Sequence, residues 1–203
     1  MRGGLLRIAS ILTLSTSLAC ALTVRTDGPE LAVAPSRSQS VRDVLIAIDV
    51  TSDERILANL SEAQKRVWRE RITDAARESL AFRRVYTSAD RGAEQLPEVW
   101  RAEISLRRVR RDPGPPLDTL ALLTAFVIPS YTETQLTVTV LLSPPSGRKL
   151  PAVVARSGMR EYVSWLILPI GIFTRSSNTV ELEMIRELTL DALRRSDSES
   201  SAE

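Results

Sequence analysis

Gln135-Leu136-Thr137-Val138-Thr139-Val140-Leu141-Leu142, the turn Ser143-Pro144-Pro145-Ser146-Gly147 and the stretch from Lys149 to Tyr162 decide how this chain is built. Leu136, Val138, Val140 and Leu142 fall on one side and Thr137 and Thr139 on the other, the period of a strand with one buried face. Two prolines and a glycine end that strand, and the return segment completes a long antiparallel hairpin. Upstream, Trp100 to Val109 alternates in the same way, with Ala102, Ile104 and Leu106 inward and Arg101, Glu103 and Arg107 outward. Val44 to Val50 is short, apolar and β-branched, the pattern of a buried central strand, and Phe82 to Thr87 reads as another short strand. Ser61 with Gln64 forms a capping box for a helix running to about Leu80, with Trp68, Ile72, Ala75, Ala76 and Leu80 on one face. Asn178 with Glu181 caps a last helix, whose apolar face is Leu182, Ile185, Leu188, Ala192 and Leu193. The order β-α-β-β-β-β-α predicts an α+β two-layer sandwich: one mostly antiparallel sheet with two helices on one face.

The 203 residues are 43% hydrophobic and 26% charged, which suits one domain with a sizeable core and argues against disorder. There is no histidine and only one cysteine. Ser-His-Asp and Cys-His sites, His-ligated metals, Cys-rich zinc clusters and intrachain disulfides are therefore excluded. Glycines are scattered, and no phosphate-cradling loop is present. Glu133 and Glu161 are near enough in the hairpin to suggest a carboxylate pair, but the neighbouring Arg156 and Arg160 make them ordinary strand charges. The expectation is a non-enzymatic protein with no cofactor and no metal.

Residues 1–19 read as a signal peptide. Arg2 and Arg7 form a positive n-region, and Ile8 to Leu18 is uncharged but too short to span a bilayer. Ser17-Leu18-Ala19-Cys20 resembles the lipobox of bacterial lipoproteins, which implies lipidation at Cys20. The alternative is Ala19-Cys20-Ala21 as an ordinary A-x-A site, giving a soluble exported chain. Ala21 follows the cysteine where inner-membrane lipoproteins carry Asp, so the resemblance implies the outer membrane, facing the periplasm. Removal of 1–19 takes two Arg and no acid, leaving 25 basic against 25 acidic residues. An exported chain of zero net charge is not expected to bind nucleic acid. Residues 20–41 are then a lipidated Cys with a flexible linker, 42–195 the single domain and 196–203 a disordered tail.

Two uncharged segments, Thr119 to Thr132 and Tyr162 to Thr174, flank the hairpin and are broken by Pro129 and Pro169. Pairing of the strands brings both to one end of the sheet. Phe126, Ile128, Tyr131, Tyr162, Trp165, Leu168, Ile170 and Phe173 there form a cap on the core, an exposed patch for membrane or partner, or the walls of a lipid-binding groove between the two segments. Arg107, Arg108, Arg110 and Arg111 are a candidate anion site, or a solvated strand face in a chain that uses Arg throughout.

The run ending in Ile128-Pro129-Ser130-Tyr131, the Thr/Val strand, the Gly turn and Trp165-Leu166-Ile167-Leu168-Pro169-Ile170-Gly171-Ile172-Phe173 resemble an uncharacterised proteobacterial envelope lipoprotein family. The resemblance covers about residues 100–195 and the signal, with Leu80 to Val85 echoing a helix-to-strand junction. The strand order is also similar to the small domains of peptidoglycan-synthase activators and curli-secretion lipoproteins, at the level of fold alone. Together these imply a membrane-anchored lipoprotein of the cell envelope, with a binding or assembly role through the apolar hairpin end and an envelope protein as partner. The alternative is a soluble periplasmic domain that binds an apolar ligand.

Overall fold

The structure, a computed structural model, describes residues 20–27, 42–53, 61–79, 81–90, 92, 98–112, 114–124, 127–164 and 176–201. Its elements are β1 (Cys20–Asp27), β2 (Asp43–Asp53), α1 (Glu62–Glu78), β3 (Arg84–Thr87), β4 (Trp100–Arg111), α2 (Pro115–Leu123), β5 (Ser130–Ser143), β6 (Val153–Ser164) and α3 (Ser177–Ser201). They form one six-stranded sheet in the order β1-β6-β5-β4-β2-β3.

The hairpin is β5 and β6, in a register that sets Tyr131 opposite Tyr162 and Val140 opposite Val153. β4 runs antiparallel to β5 along nearly its whole length. β2 is parallel to both β4 and β3, so the sheet is mixed. A parallel pair needs a crossover, and α1 supplies it between β2 and β3. Its capping box is formed: Ser61 Oγ accepts from the Gln64 amide, and Gln64 Oε1 accepts from the Ser61 amide, both at 3.2 Å.

The core is the layer between α1, α3 and one sheet face. Ile104, Leu106, Leu136, Val138, Val140 and Leu142 point into it from the strands, against Trp68 and Ile72 of α1 and Ile185 and Leu188 of α3. The other sheet face carries Arg101, Glu103, Thr137, Thr139 and Arg156, as alternation requires. Arg186 clasps Glu78 across the two helices, and that hydrogen-bonded guanidinium holds the Glu78 carboxyl below its usual pKa.

Four expectations need correction. The α+β two-layer architecture stands, but a third helix, α2, lies inside the apolar segment before β5. Gly114 (φ 99°) turns the chain and Pro115 occupies the first helical turn, where its missing N–H costs nothing. Residues 20–27 are not a tether: β1 pairs antiparallel with β6 from Cys20↔Ser164 to Asp27↔Gly158. The linker residues 28–41 lie outside the described residues. The polar C-terminus is not a free tail up to Ser201, because α3 continues to there. Ser196 is buried, and Arg42 reaches Asp197 at 3.6 Å and Ser200 at the helix's C-terminal end, where a cation offsets the helix dipole. Finally, Ser176 caps α3, its Oγ accepting from the Thr179 amide at 3.4 Å, whereas Glu181 is buried against the sheet.

Candidate functional site

The end of the sheet where β4 finishes, β5 starts, β6 finishes and β1 starts gathers most of the candidate residues. Tyr131 and Tyr162 face each other across the hairpin with ring centroids 5.9 Å apart, tilted by 45°. Arg160 lies over the Tyr131 ring at 5.5 Å and 4.0 Å from Glu133. A hydrogen bond to Tyr162 and the Glu133 charge both favour the guanidinium, raising the Arg160 pKa above its usual value. Positions 131, 133, 160 and 162 share the open face because each strand repeats every two residues. Glu161 is opposite Thr132 and so belongs to the other face from Glu133. The suggested carboxylate pair does not form.

α2 is fastened beside this cluster. Ser130 Oγ donates to Asp118 Oδ1 at 2.7 Å, Ala121 is buried, and the Thr124 hydroxyl sits 2.9 Å from the Leu120 carbonyl. Ser164 Oγ is 3.5 Å from the Val127 carbonyl oxygen, which ties the chain after α2 to the end of β6. The exposed side of this corner is aliphatic: Leu120 is 44% exposed, Leu122 57%, Leu123 77% and Val127 52%. Ile128 and Tyr131 are half-buried, as is Tyr162. Phe126, Trp165, Leu168, Ile170 and Phe173 lie outside the described residues.

The arginine cluster is divided by strand alternation. Arg107 and Arg111 share a parity with the open face, and Arg107 pairs with Asp53 at 3.0 Å. Arg108 and Arg110 belong to the helix-covered face. Arg110 is 3.9 Å from Asp112. Arg108 is not part of a surface anion site: its side chain is 12% exposed, 3.0 Å from Glu181 (7% exposed), and 5.6 Å over the Trp68 ring. The signal was present in the sequence, since 108 continues the inward series Ala102, Ile104, Leu106. Leu120, Leu122 and Leu123 lie in the uncharged segment singled out from the sequence, but sequence reasoning did not place them on a helix, which the Gly114-Pro115-Pro116 start could have revealed.

No protein-family model and no curated protein matches this chain. Among solved structures, it is similar to a minor lipoprotein from Acinetobacter baumannii, at 14% identity and a TM-score of 0.38, over 80% of this chain and 92% of that one. It is also similar to PelC from Paraburkholderia phytofirmans, solved as a dodecamer, at 13% identity and a TM-score of 0.34, over 86% of this chain and 98% of that chain. A second crystal form of the PelC dodecamer matches at 14% identity and the same TM-score.

Proposed function

We propose that this chain is a non-catalytic, membrane-anchored lipoprotein of the bacterial cell envelope, exported by residues 1–19, acylated at Cys20 and acting through the hairpin end as a binding surface. The observation that carries this reading is the pairing of Cys20 with Ser164. Cys20 begins β1 at the same end of the sheet where Tyr131, Tyr162 and α2 collect. Several acyl chains on one residue hold a protein firmly at a bilayer, where one chain alone does so only marginally. The domain would then have its binding end beside its anchor, with the β5–β6 turn at the opposite end. β5 alone spans fourteen residues, so that turn stands roughly 45 Å away at about 3.3 Å per residue.

Metabolic labelling with a radiolabelled fatty acid tests the anchor. Label should enter the natural chain and disappear from Cys20→Ala, whose membrane-bound fraction should fall. Label that persists in Cys20→Ala, or a natural chain that is soluble and unlabelled, would defeat the proposal. The second of these results would leave the soluble apolar-ligand reading in its place.

A further inference from the structure

We infer that the surface made by α2 and Val127 is a lipid-docking face, which rests in the polar–apolar boundary of the membrane that holds the anchor. This takes the proposed anchored function as its premise and names the occupant of the hairpin end: the bilayer itself.

Single exposed apolar residues are ordinary on a protein surface, but a cluster is not. Seven large hydrophobic residues are exposed among the described residues, and four of them, Leu120, Leu122, Leu123 and Val127, fall within eight positions at this corner. α2 carries one charge, Asp118, and Ser130 holds it by a hydrogen bond. Of the other acids at this end, Asp112 is held by Arg110 and Thr132 and Glu133 by Arg160, and Glu161 stands on the opposite sheet face from Glu133.

Connectivity selects the occupant. Once 1–19 is removed, Cys20 is both the acylated residue and the first residue of a strand, so no spacer separates lipid from domain. Ser164, opposite Cys20, touches the carbonyl of Val127 in the exposed cluster. A protein partner on this corner would have to fit between the domain and its own anchor. The flanking side chains have the chemistry of the interface: Tyr131 and Tyr162 are amphipathic rings that favour the headgroup level. Arg111, exposed at the end of β4, supplies a cation for lipid phosphates.

All described elements lie within 20–201, so the processed chain 20–203 carries the whole described fold. In that chain, Cys20→Ser removes acylation and leaves docking to be measured alone. Leu123→Cys, labelled with an environment-sensitive fluorophore, is mixed with phosphatidylethanolamine/phosphatidylglycerol vesicles containing nitroxide-tagged lipid, and Ser146→Cys in the distal turn serves as control. The expected result is a blue shift and strong quenching at 123 and neither at 146. Leu122→Asp with Val127→Asp should lower the vesicle-bound fraction at least tenfold while the melting curve is retained, because both side chains are more than half exposed. Equal signals at 123 and 146, or vesicle binding untouched by the aspartates, would overturn the docking face. So would a dimer in sedimentation that dissolves on the same substitutions, since a second copy would then own the surface. Mass spectrometry of Cys20 in the natural chain is read separately: an unacylated Cys20 with quenching at 123 removes the anchor and keeps the docking face. An acylated Cys20 without quenching does the reverse.

Discussion

Replacing Arg108 by Met strips Glu181 of the cation 3.0 Å away while leaving the carboxylate 7% exposed beneath α3. At that separation two unit charges attract by about 5.5 kcal/mol at an effective dielectric of about 20. Removing each ion from water costs several kcal/mol, so the intact pair contributes little net stability. Breaking it is different, because the buried Glu181 carboxylate then loses the cation 3.0 Å away, and the expected loss is about 3–5 kcal/mol. The Met side chain still fills most of the space over Trp68, so a cavity adds little. For a folded unit of this size that loss lowers Tm by about 6–20 °C, at about 2–4 °C per kcal/mol. The assay is urea unfolding of the four members of a double-mutant cycle with Glu181→Met. The double variant should recover the whole loss and equal or exceed the natural stability, and the coupling should change little with added salt, because the pair is buried. A single-variant loss below about 1 kcal/mol, of the size typical for an exposed pair, would refute the buried-charge account. So would full additivity of the two substitutions.

Burial in α3 raises the Asp197 pKa above its ordinary 3.8, against the attraction of Arg42. Stability from this group is therefore fully present below pH 3.8 and is lost as pH rises through the folded-state value. Asp197→Asn should raise Tm at pH 7, with the gain vanishing near pH 3 in a pH series of melting curves. Leu188→Ala opens a cavity where α3 meets the sheet and should cost about 2–5 kcal/mol in urea unfolding, since Leu188 is wholly buried. Ser61→Ala deletes the side-chain half of the α1 capping box and should cost about 1 kcal/mol, with Ser61→Asp recovering most of it.

The elements that could be read from the sequence were those whose signal is local. Leu136 to Leu142 alternates over enough positions to define a strand and its buried face, and the turn beside it limits its partner to the segment that follows. The α1 capping box spans four residues and forms as expected. β1 failed for the opposite reason: it is an edge strand with a short pattern, and its partner β6 lies more than a hundred residues downstream. The end of α3 was missed because Ser196 to Ser201 is polar by composition. It is kept helical by Arg42 and by Ser198 and Ser200 hydroxyls turned back to backbone carbonyls, contacts that no composition reveals.

The candidate site divides along the same line. Period-two alternation, present in the letters alone, places Tyr131 with Tyr162 and separates Glu133 from Glu161. It also turns Arg108 away from the open face, although the run of neighbouring arginines suggested a single patch. The lack of histidine and the lone Cys20 exclude, by composition alone, any site that needs a histidine or a pair of cysteines. The location of Cys20 relative to the exposed leucines of α2 depends on strand pairing between residues far apart in the chain. Such pairing follows from loop closure and burial summed over the whole fold, and no local window of sequence contains it.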